Sequence, residues 1–311
     1  MRRKKIALLA GGWSGEREVS LKSGRAVYSA LDKRKYEVTM YDPRDDLQVL
    51  MEAKEEIDLA VILLHGRFGE DGRMQGLLDI LKIPFLGSGV LSSAMAMNKN
   101  VAKETYKGAG LRVAKDVILK PDDDLSVEEI SATLGPYTFV KPVTEGSSLG
   151  ASLCSSNEEL DFGIKQAFQH DREVMVEEYI EGREVTCCIL GNIVLEALPL
   201  IEIVPKASHR FFDYKAKYMS GATEEICPAR LSRDLAEGVE DCAKRAHLAL
   251  KCSVWSRSDM IIRDKTIYLL ETNTIPGMTE NSLFPLAARA AGLSLSELLD
   301  KMIDLSLTDS R

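Results

Sequence analysis

The chain has little that would tie it to a membrane, a nucleic acid or a structural metal. No apolar run approaches the roughly 18 residues that a spanning helix needs. The formal net charge is -8, from 40 basic and 48 acidic residues, a poor footprint for non-specific DNA or RNA binding. There are six cysteines but no Cys-x-x-Cys pair, and only Cys187 and Cys188 adjoin. The four histidines, His65, His170, His209 and His247, miss the spacings of zinc sites. Reduced, mostly buried thiols in a cytosolic protein are expected. No internal repeat and no low-complexity segment is present.

What the chain does have is size and alternation. Its 311 residues suffice for two or three packed units. Apolar residues make up 45% and charged residues 28%, as in ordinary globular proteins. The basic start, Met1 to Lys5, followed by apolar Ile6 to Ala10, is faintly similar to a signal peptide. The run is too short, and Gly11-Gly12 follows at once, so a first buried strand is expected there.

The first third alternates strands and helices, the pattern of an α/β unit with a parallel sheet. Strands are expected over 6–10, 36–40, 59–64 and 84–86, and helices over 19–31, 74–81 and 91–107. The run 59–64 is wholly apolar, as in a central parallel strand, and ends in His65-Gly66-Arg67-Phe68-Gly69-Glu70-Asp71-Gly72. Ligands bind past the carboxyl ends of such strands. A second unit begins near 107–113. It offers a strand over 137–142, a small-residue loop over 144–150, a helix over 160–168 and a strand over 174–179. Two strands, 184–190 and 193–201, are expected to pair around Gly191-Asn192. Residues 205–228 read as a long polar loop, uncommon unless functional. A helix over 233–250, strands over 254–262 and 266–271, a segment over 283–291 and a helix over 295–305 complete the chain.

Several constellations carry chemistry, each with a bland counterpart. Gly11-Gly12-x-Ser14-x-Glu16 lets a backbone approach a ligand at a helix start, but is not a dinucleotide fingerprint. Such a turn is as often structural. Lys99 and Lys141 suit a polyphosphate, although a lone lysine is more often a solvated surface group. Lys141 stands out because it ends an apolar strand before Gly146-Ser147-Ser148-x-Gly150. That loop can donate to phosphates, and it is not a P-loop. Glu177-Glu178-Tyr179-Ile180 with Glu184 suits the base and ribose of a nucleotide, or a solvated strand end. Asp259, Glu271 and Asn273 on two neighbouring strands supply hard oxygen ligands for magnesium. Two such ions neutralise a transferring phosphoryl group. Arg257 shares a strand face with Asp259 and, with the Gly277 N–H, can hold an oxyanion; a surface ion pair is the alternative.

Taken together, the segments resemble the D-alanine–D-alanine ligases of the ATP-grasp superfamily. The resemblance runs from Gly11 to about Pro285. It rests on Gly11-Gly12-x-Ser14-x-Glu16-x-x-Val19-Ser20, on His65-Gly66-x-x-Gly69-Glu70-Asp71-Gly72-x-x-Gln75-Gly76 and on Lys141-Pro142-x-x-x-Gly146-Ser147-Ser148-x-Gly150. It continues in Asp213-Tyr214-x-x-Lys217-Tyr218 and Glu271-x-Asn273-Thr274-x-Pro276-Gly277-Met278-Thr279.

That resemblance implies an ATP-grasp fold, α/β with an α+β central region, and an N-terminal parallel-sheet domain. The implied domains are 1–100 for substrate, 101–185 as the central ATP-grasp domain, and 186–311 with the catalytic loop and metal site. It implies ATP and two magnesium ions, with manganese able to substitute. Lys99, Lys141 and Ser148 then meet phosphates, Glu177 to Ile180 reads adenine, Glu184 the ribose, and Lys217 the transferred phosphate. Glu16 anchors the amino group of the first D-alanine, and His65 lies near its carboxylate. Ser282 and Leu283 bind the second D-alanine, while Glu16, Ser147 and Tyr218 form a hydrogen-bonded triad. The implied product is D-alanyl-D-alanine for peptidoglycan, made in the cytoplasm by a homodimer, with no nucleic-acid or membrane partner.

The sequence departs from the family pattern at Asn98-Lys99, where Asp-Lys is frequent. It departs again at Lys251-Cys252-Ser253-Val254-Trp255-Ser256, usually glycine-rich, and at Ser258, usually apolar. Rival readings are a ligase using D-lactate or D-serine as acceptor, and a nucleotide-binding protein without turnover. Tyr218 favours D-alanine over D-lactate, because the D-lactate type resembles this pattern with phenylalanine there.

Overall fold

The computed structural model describes residues 2–146, 149–205 and 223–308. The chain opens with β1 (Lys4–Leu9), α1 (Arg17–Ala30), β2 (Tyr36–Tyr41), α2 (Pro43–Glu52), β3 (Leu59–Ile62), α3 (Arg73–Leu81) and β4 (Phe85–Leu86). These strands form a parallel sheet of order β2-β1-β3-β4. The four residues of β3 are all buried, which explains its unbroken apolar run. It stops at Ile62 rather than Leu64, and Leu63 N–H still donates to Leu9 O. Helix α2 was not expected. Asp42 caps it by accepting from Arg44 N–H, and Pro43 occupies the first turn, where its missing N–H costs nothing.

Next come α4 (Val90–Met97), α5 (Lys99–Gly108), β5 (Asp116–Leu119), α6 (Val127–Leu134), β6 (Thr138–Pro142), β7 (Ser152–Cys154), α7 (Asn157–Ala167) and β8 (Val174–Glu178). Their strands make an antiparallel sheet of order β5-β8-β6-β7. The expected single helix over 91–107 is two. Asn98 has an extended backbone (ψ 102°), and its side chain accepts from Val101 N–H, so it ends one helix and caps the next. Strands β5 and β7 and helix α6 add to the sequence expectation.

The last sheet comprises β9 (Arg183–Leu190), β10 (Glu196–Ala197), β11 (Ile201–Pro205) and β12 (Thr223–Ile226). After α8 (Arg233–Ala249) it is completed by β13 (Trp255–Arg263) and β14 (Thr266–Asn273). Its order is β12-β11-β9-β13-β14, antiparallel throughout, with β10 on β9. The expected strand over 193–201 reduces to the two residues of β10, and β11 supplies the longer pairing. Asn192 does not serve as a plain hairpin turn. Its side chain donates to Leu305 O and accepts from Val254 N–H, tying three segments together. The end of the expected loop over 205–228 is strand β12.

Helices α9 (Leu283–Ala290) and α10 (Leu295–Thr308) close the chain. They turn back to the first sheet. Phe284, Leu298, Met302 and Ile303 join Ile6, Leu8, Val61 and Trp255 in one apolar cluster. Burying each such side chain contributes about 1.5–3 kcal/mol. All six cysteines are free, and five are buried. Among the described residues, no helix is long and apolar enough to cross a membrane.

Candidate active site

The site starts at the carboxyl ends of β1 and β3. Gly11 and Gly12 have φ of 102° and 81°, a region that disfavours side chains. A Cβ on Gly11 would lie 2.2 Å from Asp42 Oδ2. Gly11 N–H donates to Ser20 Oγ, which in turn donates to Leu63 O at 2.6 Å. The inner face of α1 is therefore built from small residues, Ser20, Ser23 and Gly24, instead of a thick apolar stripe. It brings β1, α1 and the loop after β3 together.

Glu16 sits at the start of α1. A Cβ built on Gly66 would lie 2.8 Å from its Oε2, and one on Gly146 would lie 3.1 Å from the same oxygen. The Glu16 carboxylate thus stands between the loop after β3 and the loop after β6. His65 is buried, with Nε2 3.5 Å from Ser23 Oγ. Burial lowers its pKa, the charge of Glu16 opposes this, and the nearby Arg257 adds to it. Ser23 Oγ also accepts from Met278 N–H at 3.4 Å, which joins α1 to the segment that follows β14.

Glu70 belongs to this cluster, and sequence reading gives it no role. Its Oε2 accepts from Gly66 N–H at 2.6 Å. Burial raises its pKa to about 8, and the charges of Glu16 and Glu271 push the same way. These surroundings favour the neutral acid form of Glu70. Its place in the turn 65–72 was the only signal.

The second wall is the front of β13 and β14. Arg257 donates from Nε to Asp259 Oδ1 at 2.9 Å and from Nη2 to Oδ2 at 2.8 Å. Burial works against the Arg257 charge, and Asp259 outweighs it. Thr186 of β9 donates to Asp259 Oδ1 at 2.5 Å. Asp259 lies opposite Glu271, and Arg257 opposite Asn273, so all four share one face. The register shifts between Asp259 and Met260, a bulge beside the proposed ligands. Asp259, Glu271 and Asn273 offer two carboxylates and an amide, an all-oxygen set that fits a hard divalent cation. Among the described residues, no group of three or more His, Cys, Asp and Glu forms a metal cluster, and this set holds only two of those types.

Beyond Asn273, Ser282 precedes the first turn of α9, and Leu283 opens it. Thr279 N–H donates to Ser282 Oγ at 3.1 Å, and a Cβ on Gly277 would lie 2.9 Å from that oxygen. The Gly277 backbone is thus folded against the helix start, where free N–H groups favour an anion.

The central sheet supplies the third wall. Lys141 Nζ pairs with Glu177 Oε2 at 2.5 Å, and Lys103 Nζ with Glu177 Oε1 at 2.6 Å. Lys103 also meets Asp116 at 3.0 Å. Burial alone would raise the pKa of Glu177, but the two ammonium groups hold it below the usual range. Lys103 was missed by sequence reading because its partners lie far along the chain. Lys99 Nζ donates to Glu145 O, at the mouth of the loop. Glu178 accepts from Lys115 N–H, Tyr179 N–H donates to Tyr137 O, and Ile180 is buried with Ala114 and Tyr268. Glu184 lies on β9 opposite Ile203 and Ile261. Ser147, Ser148, Lys217 and Tyr218 lie outside the described residues.

Comparison with known proteins meets this geometry. The model described as D-ala D-ala ligase C-terminus matches residues 106–304, and D-ala D-ala ligase N-terminus matches 5–52 and 44–88. The chain belongs to the D-alanine–D-alanine ligase family. The D-alanine–D-alanine ligase of Syntrophobacter fumaroxidans is 51% identical over 304 residues, 98% of each chain. That of Desulfotalea psychrophila is 51% identical over 311 residues, covering 99% of this chain and 97% of its own. Among solved structures, the Bacillus anthracis D-alanine–D-alanine ligase complexed with ATP has a TM-score of 0.86 at 36% identity. It covers 98% of this chain and 97% of its own. The VanG D-Ala:D-Ser ligase of Enterococcus faecalis has a TM-score of 0.84 at 34% identity, covering 98% and 100%. The fold is the ATP-grasp fold of this ligase family, α/β with a parallel sheet at its N-terminus and antiparallel sheets beyond.

Proposed function

We propose that this chain joins two D-alanine molecules into D-alanyl-D-alanine at the expense of ATP, for peptidoglycan precursor synthesis. The observation that carries the reading is the meeting of Glu16, His65 and Glu70 from the parallel-sheet unit with Arg257 beside Asp259. An amino-acid anchor and an oxyanion donor converge there. A carboxylate is a poor electrophile, so ATP first converts that of one D-alanine into an acylphosphate. The amine of the second D-alanine then attacks the acyl carbon, and phosphate leaves.

In this reading Glu16 holds the first amino group and His65 lies near its carboxylate. Ser282 and Leu283 at the start of α9 hold the second carboxylate. Arg257 and the Gly277 N–H stabilise the oxyanion. Lys99 and Lys141 meet the phosphates with Ser148, while Glu177 to Ile180 and Glu184 bound the nucleoside. Asp259, Glu271 and Asn273 would hold two magnesium ions, or manganese. When bound, those ions neutralise charge on the phosphoryl oxygens. Glu16 extends through Ser147 to Tyr218, and Lys217 reaches the transferred phosphate. Domains over 1–100, 101–185 and 186–311, a cytoplasmic location and a homodimer complete the proposal.

The test is phosphate release with ATP, magnesium and D-alanine, with the product identified by mass. D-alanyl-D-alanine is expected, and Lys217→Ala should abolish its formation while leaving the fold intact. A mixed product preferred with D-serine or D-lactate present would move the acceptor and keep the chemistry. The likeness to the VanG D-Ala:D-Ser ligase makes D-serine the pointed control.

A further inference from the structure

The two faces of the β13–β14 pair differ in kind. The front carries Arg257, Asp259, Glu271 and Asn273. Their chain neighbours Ser256, Ser258 and Thr272 fall on the back; these three are buried, as is Thr274 just past the end of β14. The surroundings on that side are apolar: Val185, Cys187, Ile189, Met260 and Leu269. Hydroxyls in such a setting cost stability unless they are bonded.

Some of them are bonded, and the bonds are directional. Ser258 Oγ and Thr272 Oγ1 lie 2.9 Å apart, on residues directly opposite across the pair. Ser256 Oγ lies 2.7 Å from Nδ1 of His247, on α8. The hydroxyl of fully buried Tyr106, on α5, faces Thr272. Three polar atoms of the layer, the Tyr106 hydroxyl, His247 Nε2 and Thr274 Oγ1, are buried without a hydrogen-bond partner among the described residues. The layer is therefore a poor device for stability alone.

Its position suggests another task. Asp259 pairs with Glu271, but Met260 pairs with Leu269, so Leu270 is the extra residue of a bulge. A bulge leaves one residue unpaired and disrupts the ladder where it lies, and a slip of one residue exchanges the two faces of a strand. The Ser258–Thr272 bond sits one residue pair before that bulge, next to the Asp259–Glu271 pair. It is placed to fix the register at the point where the front-face residues must stay aligned.

We infer that Ser258 and Thr272, supported by the His247–Ser256 pair, are positioning residues for the ligase reaction. They hold Arg257 and Asp259 in fixed spacing against Glu271 and Asn273, from behind. The inference rests on the proposed ligase function. It assigns the unusual serines on either side of Arg257 to alignment of the reaction centre, not to substrate contact.

The experiment compares Ser258→Ala, Thr272→Val, the double variant and Thr272→Ser with the parent. It reads kcat, KM for ATP and D-alanine, the magnesium concentration for half-maximal rate, and thermal midpoint. A displacement near the reaction centre costs rate steeply, so each of the first two variants should lose about tenfold in kcat with little change in KM for D-alanine. The double variant should be no slower than the slower single one, because both remove the same bond. Thr272→Ser keeps the hydroxyl and should keep the rate. A lowered thermal midpoint with kcat unchanged would make the layer purely structural and overturn the inference. So would losses that multiply in the double variant. An inactive parent would instead sink the ligase reading. ATP affinity by calorimetry across graded magnesium would then carry the comparison, and equal affinity in all variants would sink the layer as well.

Discussion

Arg257 and Asp259, two residues apart on β13, are joined by two near-parallel hydrogen bonds, and Thr186 adds a third to the same carboxylate. The aspartate therefore does more than present an oxygen to solvent. It fixes the guanidinium proposed to stabilise the oxyanion, and its own orientation is fixed from β9. Asp259→Asn keeps the shape and removes the charge. The loss of one charge-assisted acceptor at an oxyanion donor should lower kcat/KM about 10²–10³-fold. Steady-state phosphate release would check this, and unchanged turnover would detach Asp259 from the chemistry.

Glu177 serves two buried lysines at once. Glu177→Gln would leave Lys103 and Lys141 with a neutral partner in a buried site. Breaking a buried pair from one side costs about 3–5 kcal/mol. Urea unfolding should show a lower midpoint at unchanged slope. ATP affinity should also fall, because Lys141 would no longer be held toward the loop.

Gly69 lies in the turn that presents Glu70. A Cβ there would come within 2.3 Å of Leu64 O, and a backbone atom cannot move aside as a side-chain tip can. Gly69→Ala should destabilise by about 1–3 kcal/mol, as overpacking does. It should also weaken D-alanine binding, since Glu70 and His65 share the turn. A variant with parental KM for D-alanine would separate this turn from the substrate site.

His247 is buried, and desolvation lowers its pKa from 6.5 to about 4. The unfolded chain therefore takes up a proton as pH falls below 6.5, while the folded chain resists until about 4. Stability contributed by keeping the ring neutral is present above 6.5 and is lost as pH falls through that window. The slope is about 1.4 kcal/mol per pH unit for one proton. Urea midpoints measured across this range should fall less steeply in His247→Gln than in the parent.

The parallel sheet was the most legible part of the fold. Four consecutive buried residues in β3 leave no room for a polar position, and the pattern says so. The β13–β14 hairpin was equally open, because Asp259, Glu271 and Asn273 keep period-two spacing within apolar strands. Helices α2 and α6 were missed although their start signals were present: Asp42-Pro43 in one, and the Ser126–Glu129 capping box in the other. Strand β7 has only three residues, too few for a period. The break at Asn98 was hidden because apolar spacing continues through it, while a capping side chain decides where the helix ends. For the candidate site, Glu16 and His65 were proposed through resemblance. Lys103 was invisible, because Glu177 is 74 positions away and only the fold joins them.

The apolar cluster under the first sheet includes Phe284, Leu298, Met302 and Ile303, and Tyr36 on β2 donates its hydroxyl to Asp300. This arrangement sets an order of events during translation. Domains generally fold as units while the chain emerges. Strands β1 to β4 leave the ribosome early, yet part of their cover is encoded more than 190 residues later, counting from Leu86 to Leu283. Until those helices appear, a parallel sheet with an open apolar side must be sheltered by other means. The nascent chain should therefore depend on chaperones for longer than its early, regular β-α-β start would suggest.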